Sequence, residues 1–177
     1  KENDEDLRRL WAQIVTLDVN VSYPFLMRIY HDFELGIITK KDMIIIVEAT
    51  ISYIVRRVIC EIPTNSLNKT FATFYKKIKV EKYVQSILAE YAVKDSYRVF
   101  PTDEEIKEKL LSKNIYILKI KNYILEMLEN QSHKEPITIT GYGLTVEHIM
   151  PQNPNPRKEW KDMLGKNWEG VQRLYLH

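Results

Sequence analysis

The chain has 177 residues, 45% apolar and 28% charged, ordinary values for a soluble globular protein holding one compact domain or one domain and part of a second. Lys and Arg number 26 against 24 acids, a formal net charge of +2, so charge alone does not argue for a nucleic-acid partner, although a local basic patch stays open. Five glycines and seven prolines favour packed helices over a turn-rich β fold, and the single cysteine, Cys60, excludes an intrachain disulfide and fits a reducing, cytoplasmic compartment.

No signal-peptide pattern opens the chain, and its first residue is Lys rather than Met, the expectation for a piece of a longer protein. The most apolar stretch, Met43 to Val55, is interrupted by Glu48 and closed by Arg56 and Arg57. It falls short of the roughly 20 apolar residues that a bilayer span needs.

Helical periodicity runs through the first three quarters. "DEDLRRLWAQIVTL" puts Leu7, Leu10, Trp11 and Ile14 on one stripe, behind acids that suit a helix N-terminus. "YPFLMRIYHDFELG" places Pro24 in a first turn and Gly36 at a C-cap. In "TKKDMIIIVEATISYIVRRVICEIP" the spacing of Ile44, Val47, Ile51, Ile54, Val55 and Val58 predicts a helix ended by Pro63. Its β-branched residues leave a strand conceivable, but its length favours the helix.

"TNSLNKTFATFYKKI" stripes Leu67, Phe71 and Phe74, and "EKYVQSILAEYAV" stripes Val84, Ile87, Leu88 and Tyr91. "PTDEEIKEKLL" carries a capping box, Thr102 with Glu105, and turns Ile106 and Leu110 inward. "NIYILKIKNYILEMLEN" repeats the pattern with Ile117, Ile120, Ile124 and Met127, for roughly seven helices in all. After Asn130 the composition shifts to Ile, Thr, Val, Gly and Pro. Residues 137–140 and 144–149 read as two short strands around Gly141-Tyr142-Gly143, and "PRKEWKDMLG" as a short helix ending at Gly165. The expected division is a helical domain over 1–134 and an α+β element over 135–177.

Chemistry concentrates in "GLTVEHIMPQNPNP". An imidazole at His148 can take a proton from water near neutral pH, and a carboxylate at Glu147 can hold a hard divalent cation. Neighbouring side chains on a regular strand face opposite ways, so one shared site needs a break, which Pro151 and the prolines after it supply. The plainer alternative is an exposed Glu and a half-buried His on an edge strand.

Arg56-Arg57 match phosphate geometry, or else sit on a helix edge with one Arg solvated and one in a salt bridge. "FYKKIKVEKY" interleaves Lys76, Lys77, Lys79 and Lys82 with Tyr75 and Tyr83, which suits a nucleic-acid backbone or a solvated face with inward tyrosines. His31 and His133 have no metal-ligand spacing, Cys60 reads as a small apolar residue, and no Gly-rich nucleotide loop is present.

"VEHIMPQ" resembles the first strand of the HNH, or His-Me finger, nucleases, in which a strand ends in Asp/Glu-His-Ile-x-Pro, often before Gln. Residues 51–78 resemble the helical middle region of a bacterial family that joins an N-terminal ParB-like nucleotide-binding domain to a C-terminal HNH-type nuclease domain and includes the GmrSD-type modification-dependent restriction enzymes. That likeness rests on "Y-x-x-RR" then "PTN-x-LN-x-x-F", here Tyr53, Arg56, Arg57, Pro63, Thr64, Asn65, Leu67, Asn68 and Phe71. The helix around Trp160 and the terminal Tyr175 to His177 also match.

The resemblance implies a mainly α chain: a helical, bundle-like domain followed by the first, incomplete part of a ββα-metal element. It implies Glu147 as a ligand of Mg²⁺ or Mn²⁺, His148 as general base, modified or phage DNA as substrate, and a ParB-like domain in the same or a partner chain. The family pattern runs on past His177 to a second strand and a helix that complete the metal site, so the expectation for this chain alone is inactivity. The alternative is a non-catalytic helical DNA-binding or protein-interaction module that relies on Arg56, Arg57, Lys76 and Lys77.

Overall fold

The computed structural model describes residues 4–132, 137 and 149–175. The chain divides into two compact units, 1–109 and 110–177, and the described residues are mainly α-helical. The composition change near residue 134 lies outside the described residues.

The first unit is built on α1 (Glu5–Thr16), α2 (Tyr23–Glu34), α3 (Lys40–Ile59), α4 (Leu67–Phe74), α5 (Tyr83–Ala92) and the start of α6 (Asp103–Ser112). Each boundary has a local cause. Asp4 caps α1 by accepting from the backbone N–H groups of Asp6 and Leu7. Pro24 stands in the first turn of α2. That helix closes at Gly36, φ +72°, with Gly36 N–H on the Phe33 carbonyl and Ile37 N–H on the Asp32 carbonyl, both 2.9 Å. Thr39 and Asp42 form a reciprocal capping box at the start of α3.

α3 packs against α1, α2 and α5, which is why it is buried on more than one stripe. Met43, Ile46 and Val47 are fully buried, as are Tyr53 and Arg57, whereas the expected Ile44, Val55 and Val58 are only half-buried. Burial of this kind outweighs the modest helix penalty of its β-branched residues. The core is rich in rings: Phe25 packs on Phe71 and Phe74, and Tyr91 lies 4.7 Å from Phe74 and 5.0 Å from Tyr53. Such pairs contribute about 0.5–1.5 kcal/mol each beyond their buried area.

The sequence stripes of α1, α4 and α5 match the buried residues, with two exceptions. Trp11 is half-buried in an edge contact with Tyr30, and Leu88 stays 39% exposed. The Thr102–Glu105 capping box is present in both directions. Yet α6 buries no residue, and Leu110 is 42% exposed rather than inward, because its charged sequence offers little apolar face.

In the second unit, α7 (Lys121–Ser132) starts later than periodicity predicts. Residues 115–117 form a 3-10 turn because the Asn114 side chain accepts from the Tyr116 N–H, a local bond that competes with helix. Ile120 and Ile124 are buried and Ile117 is 71% exposed. α8 (Lys158–Leu164) ends at Gly165, φ +78°, as expected, and packs on α9 (Trp168–Tyr175), which periodicity had not marked. The two expected strands fall almost wholly outside the described residues. Of their residues only Ile137 and Ile149 are described, neither in a strand, and no strand occurs among the described residues.

Candidate functional site

The Tyr53-x-x-Arg56-Arg57 motif lies on the last turns of α3, and all three side chains donate to the backbone between α5 and α6. Tyr53 Oη donates to the Arg98 carbonyl at 2.8 Å. Arg56 Nη1 donates to the Pro101 carbonyl at 2.8 Å, and its Nη2 pairs with Asp103. Arg57 Nη1 donates to the carbonyls of Tyr97 (2.9 Å) and Val99 (3.4 Å), and Nη2 to the Pro63 carbonyl (2.7 Å) and Ser66 Oγ (2.9 Å).

Arg57 is 0% exposed, its guanidinium stacked 5.2 Å from the Tyr53 ring centre. Burial pushes that guanidinium below the ordinary arginine value, and burial likewise pushes the Tyr53 phenol up. A phosphate at Arg57 would have to displace these carbonyls. Arg56 also walls a cleft of about 410 Å³ with Leu88, Tyr91 and Phe100, whose lining holds a single carboxylate, Asp103.

Lys76 and Lys77 lie in a 3-10 turn, Tyr75–Lys77, and both are exposed. Lys77 pairs with Glu90 at 2.9 Å, and Lys94 holds the same carboxylate at 3.0 Å. Burial works to raise the Glu90 pKa, but its bonds to Lys77 and Lys94 outweigh that and the net direction is down. The neighbouring tyrosines turn inward onto Asp32, a buried carboxylate on α2 that accepts from Tyr75 Oη (3.0 Å) and from Tyr83 Oη. Burial first, and then the Asp32 carboxylate, push the Tyr83 phenol well above its ordinary value.

Glu147, His148 and His133 lie outside the described residues. Among the described residues no three His, Cys, Asp or Glu side chains are grouped to hold a metal, His31 is exposed and Cys60 is half-buried. The chain is described again from Ile149 onward. Pro151 to Pro156 run as an irregular segment secured by side chains of α8 and α9. Gln172 Nε2 donates to the carbonyls of Pro151 (2.6 Å) and Asn153 (2.8 Å). Asn153 Oδ1 accepts from Asn155 N–H at 2.9 Å, and Lys161 donates to Asn155 Oδ1 while lying 4.7 Å from the Trp168 ring centre.

Sequence reasoning passed over Gln172, the one buried side chain among those described on α9, and also Asn130, which exchanges two hydrogen bonds with the backbone of Ile137 (2.9 and 2.8 Å). The available signal for Gln172 was its helical spacing from Trp168 and Val171, an amide on a face that is otherwise apolar.

No helix among the described residues is long and apolar enough to cross a membrane. Neither the curated proteins nor the solved structures contain a significant match to the chain. Residues 100–177 match the family model of the C-terminal domain of GmrSD restriction endonucleases, a span that includes the Glu-His-Ile-Met-Pro-Gln run and both clamped ends around it. Residues 100–177 are therefore a GmrSD-like C-terminal region.

Proposed function

We propose that the full-length protein to which this chain belongs is a metal-dependent DNA endonuclease of the modification-dependent restriction or phage-defence type, with Glu147 and His148 at its reacting centre and this chain alone inactive. The observation that carries this reading is the family match over residues 100–177, which contains Glu147-His148-Ile149-x-Pro151-Gln152. The donor set fits a hard cation: a carboxylate oxygen suits Mg²⁺ or Mn²⁺. When bound, such a cation supplies stabilisation for charge building on the phosphate. His148 takes the proton of the attacking water, a role suited to an imidazole whose unperturbed pKa is about 6.5. Glu147 orients the site as a ligand. A ParB-like domain, in the same or a partner chain, belongs to the same proposal.

Of the four basic residues singled out, we assign phosphate contact to Lys76 and Lys77. Both are exposed, and a surface ion pair such as Lys77–Glu90 is worth little and readily exchanged. Arg56 and Arg57 serve the fold.

The test is cleavage by the full-length protein of modified and unmodified DNA with Mg²⁺ or Mn²⁺. His148→Ala is expected to lower the rate by about 10²–10⁴-fold with DNA affinity retained. Binding without cleavage on every DNA tried would leave a non-catalytic DNA-binding module instead.

A further inference from the structure

We propose that Arg28 is a third phosphate contact beside Lys76 and Lys77, on a cationic face shared by α2 and α4 that takes the sugar-phosphate backbone of DNA. The inference rests on the DNA reading above. The two helices pack together, with the Phe25 ring of α2 against Phe71 and Phe74 of α4. Residues 19–31 and 62–80 contain no Asp or Glu, although the chain holds 24 acids in 177 residues. The acids that flank these stretches, exposed Asp18, Glu34, Glu61 and Glu81 and buried Asp32, stand outside them. Within them lie Arg28, Lys69, Lys76, Lys77 and Lys79, all exposed.

Arg28 ties the cation of α2 to those that follow α4. Its guanidinium carbon lies 4.7 Å from the centre of the Tyr75 ring, and Tyr75 precedes Lys76 in the same 3-10 turn. Stacking holds the planar fork by its face, and its N–H donors run along the edges, the geometry that phosphate oxygens accept. The ring beneath is fixed in turn, because the Tyr75 hydroxyl donates to the Asp32 carboxylate at 3.0 Å.

Asp32 is not offered to a ligand. It is 4% exposed, and the hydroxyls of Tyr75 and Tyr83 both donate to it. Among the described residues Arg28 and Lys76 enter no ion pair, while Lys77 shares Glu90 with Lys94. Two cations side by side without a carboxylate partner suit a polyanion.

The surface also selects the class of polyanion. Residues 62–79 expose no large apolar side chain and α2 exposes one, Met27. A protein partner would need an apolar centre to bury. Exposed Asn68 and Thr73 stand among the cations instead, and such side chains commonly contact phosphate and sugar.

The test is the salt dependence of DNA binding by the full-length protein, read by fluorescence anisotropy on modified and unmodified duplexes. Arg28→Gln is expected to weaken binding about 3- to 10-fold at low salt, alike on both duplexes. It is expected to flatten the slope of log affinity against log salt by about one. Arg28→Lys, which keeps the charge, is expected to keep the slope. Lys107→Gln, which removes an exposed charge from α6, is expected to leave affinity and slope at wild type.

An unchanged slope in Arg28→Gln, or an equal change in Lys107→Gln, overturns the proposal. If Arg28→Gln behaves as expected but the wild-type protein cuts no DNA, the nuclease reading fails and the phosphate contact stands. If the full-length protein binds no DNA, both fail. Arg28-dependent binding of polyglutamate in place of DNA would assign the face to an acidic protein and overturn the proposal as well.

Discussion

Arg57 takes a full positive charge out of water without, among the described residues, any carboxylate partner. The charge is tolerated because three carbonyl oxygens and one hydroxyl converge on it, with the Tyr53 ring against its face. A planar fork with several donors can satisfy such a set, and a lysine ammonium on a flexible stem cannot match it. Arg57→Ala should therefore cost about 3 kcal/mol or more in urea unfolding, since it strands buried acceptors. Arg57→Lys should recover only part of that. From the sequence, the doublet offered either phosphate contact or one solvated and one salt-bridged arginine. Arg56 does pair with Asp103, but Arg57 is buried rather than solvated. The clue was position: 57 stands four residues after Tyr53 and three after Ile54, on the face that α3 buries. What a one-dimensional pattern could not supply was the acceptor set, which comes from residues 63–66 and 97–99.

At the scale of elements, α3 is fixed at both ends by chemistry that can be changed one residue at a time. Thr39 accepts from the Asp42 N–H, and Asp42 accepts from the Thr39 N–H and hydroxyl. Those Thr39 bonds hold the Asp42 carboxyl below its ordinary pKa. Thr39→Ala should cost roughly 1 kcal/mol. A depressed carboxyl stabilises above its unfolded pKa and loses that contribution as pH falls through the folded value, so the difference between Thr39→Ala and wild type should shrink in acid. The other end turns on Glu61, φ +56°, which occupies the left-handed position that glycine usually takes after a helix. Glu61→Gly should gain on the order of 1 kcal/mol, read as a raised urea midpoint. Thr102–Glu105 and Gly165 show that caps are legible in sequence, because their bonds join residues three or four apart. The late start of α7 was not, since Asn114 can serve a helix or a turn equally well and tertiary packing decides.

For the molecule as a whole, titration should reveal how its phenols are buried. Burial pushes Tyr53, Tyr83 and Tyr91 above the ordinary value in the first unit, and Tyr123 up to about 12 in the second. A group whose folded pKa is raised stabilises fully below its unfolded value, about 10 for tyrosine, and that contribution is lost as pH climbs toward the folded value. The contribution of these phenols to the unfolding free energy should thus be flat up to about pH 10 and then drop, by roughly 1.4 kcal/mol per pH unit for each such tyrosine. The phenolate absorbance of these four buried tyrosines should appear together with the loss of helix. At this scale the helical first part was legible in sequence, because each stripe is local. Glu147 and His148 carried their meaning through a short motif and a family likeness rather than through any periodicity. The grip of α3 on residues 97–101 has an evolutionary corollary. Tyr53, Arg56 and Arg57 hold main-chain oxygens, which every residue type provides, while the Tyr97 side chain is 56% exposed. Positions 97–99 are therefore freer to drift in sequence than the three gripping side chains, whereas Phe100, whose ring packs on Tyr53, Tyr91 and the Arg56 guanidinium, and the buried Pro101 are not. Among descendants of this chain the joint should survive as a fixed triplet facing a strip that varies at 97–99 and keeps an aromatic ring at 100.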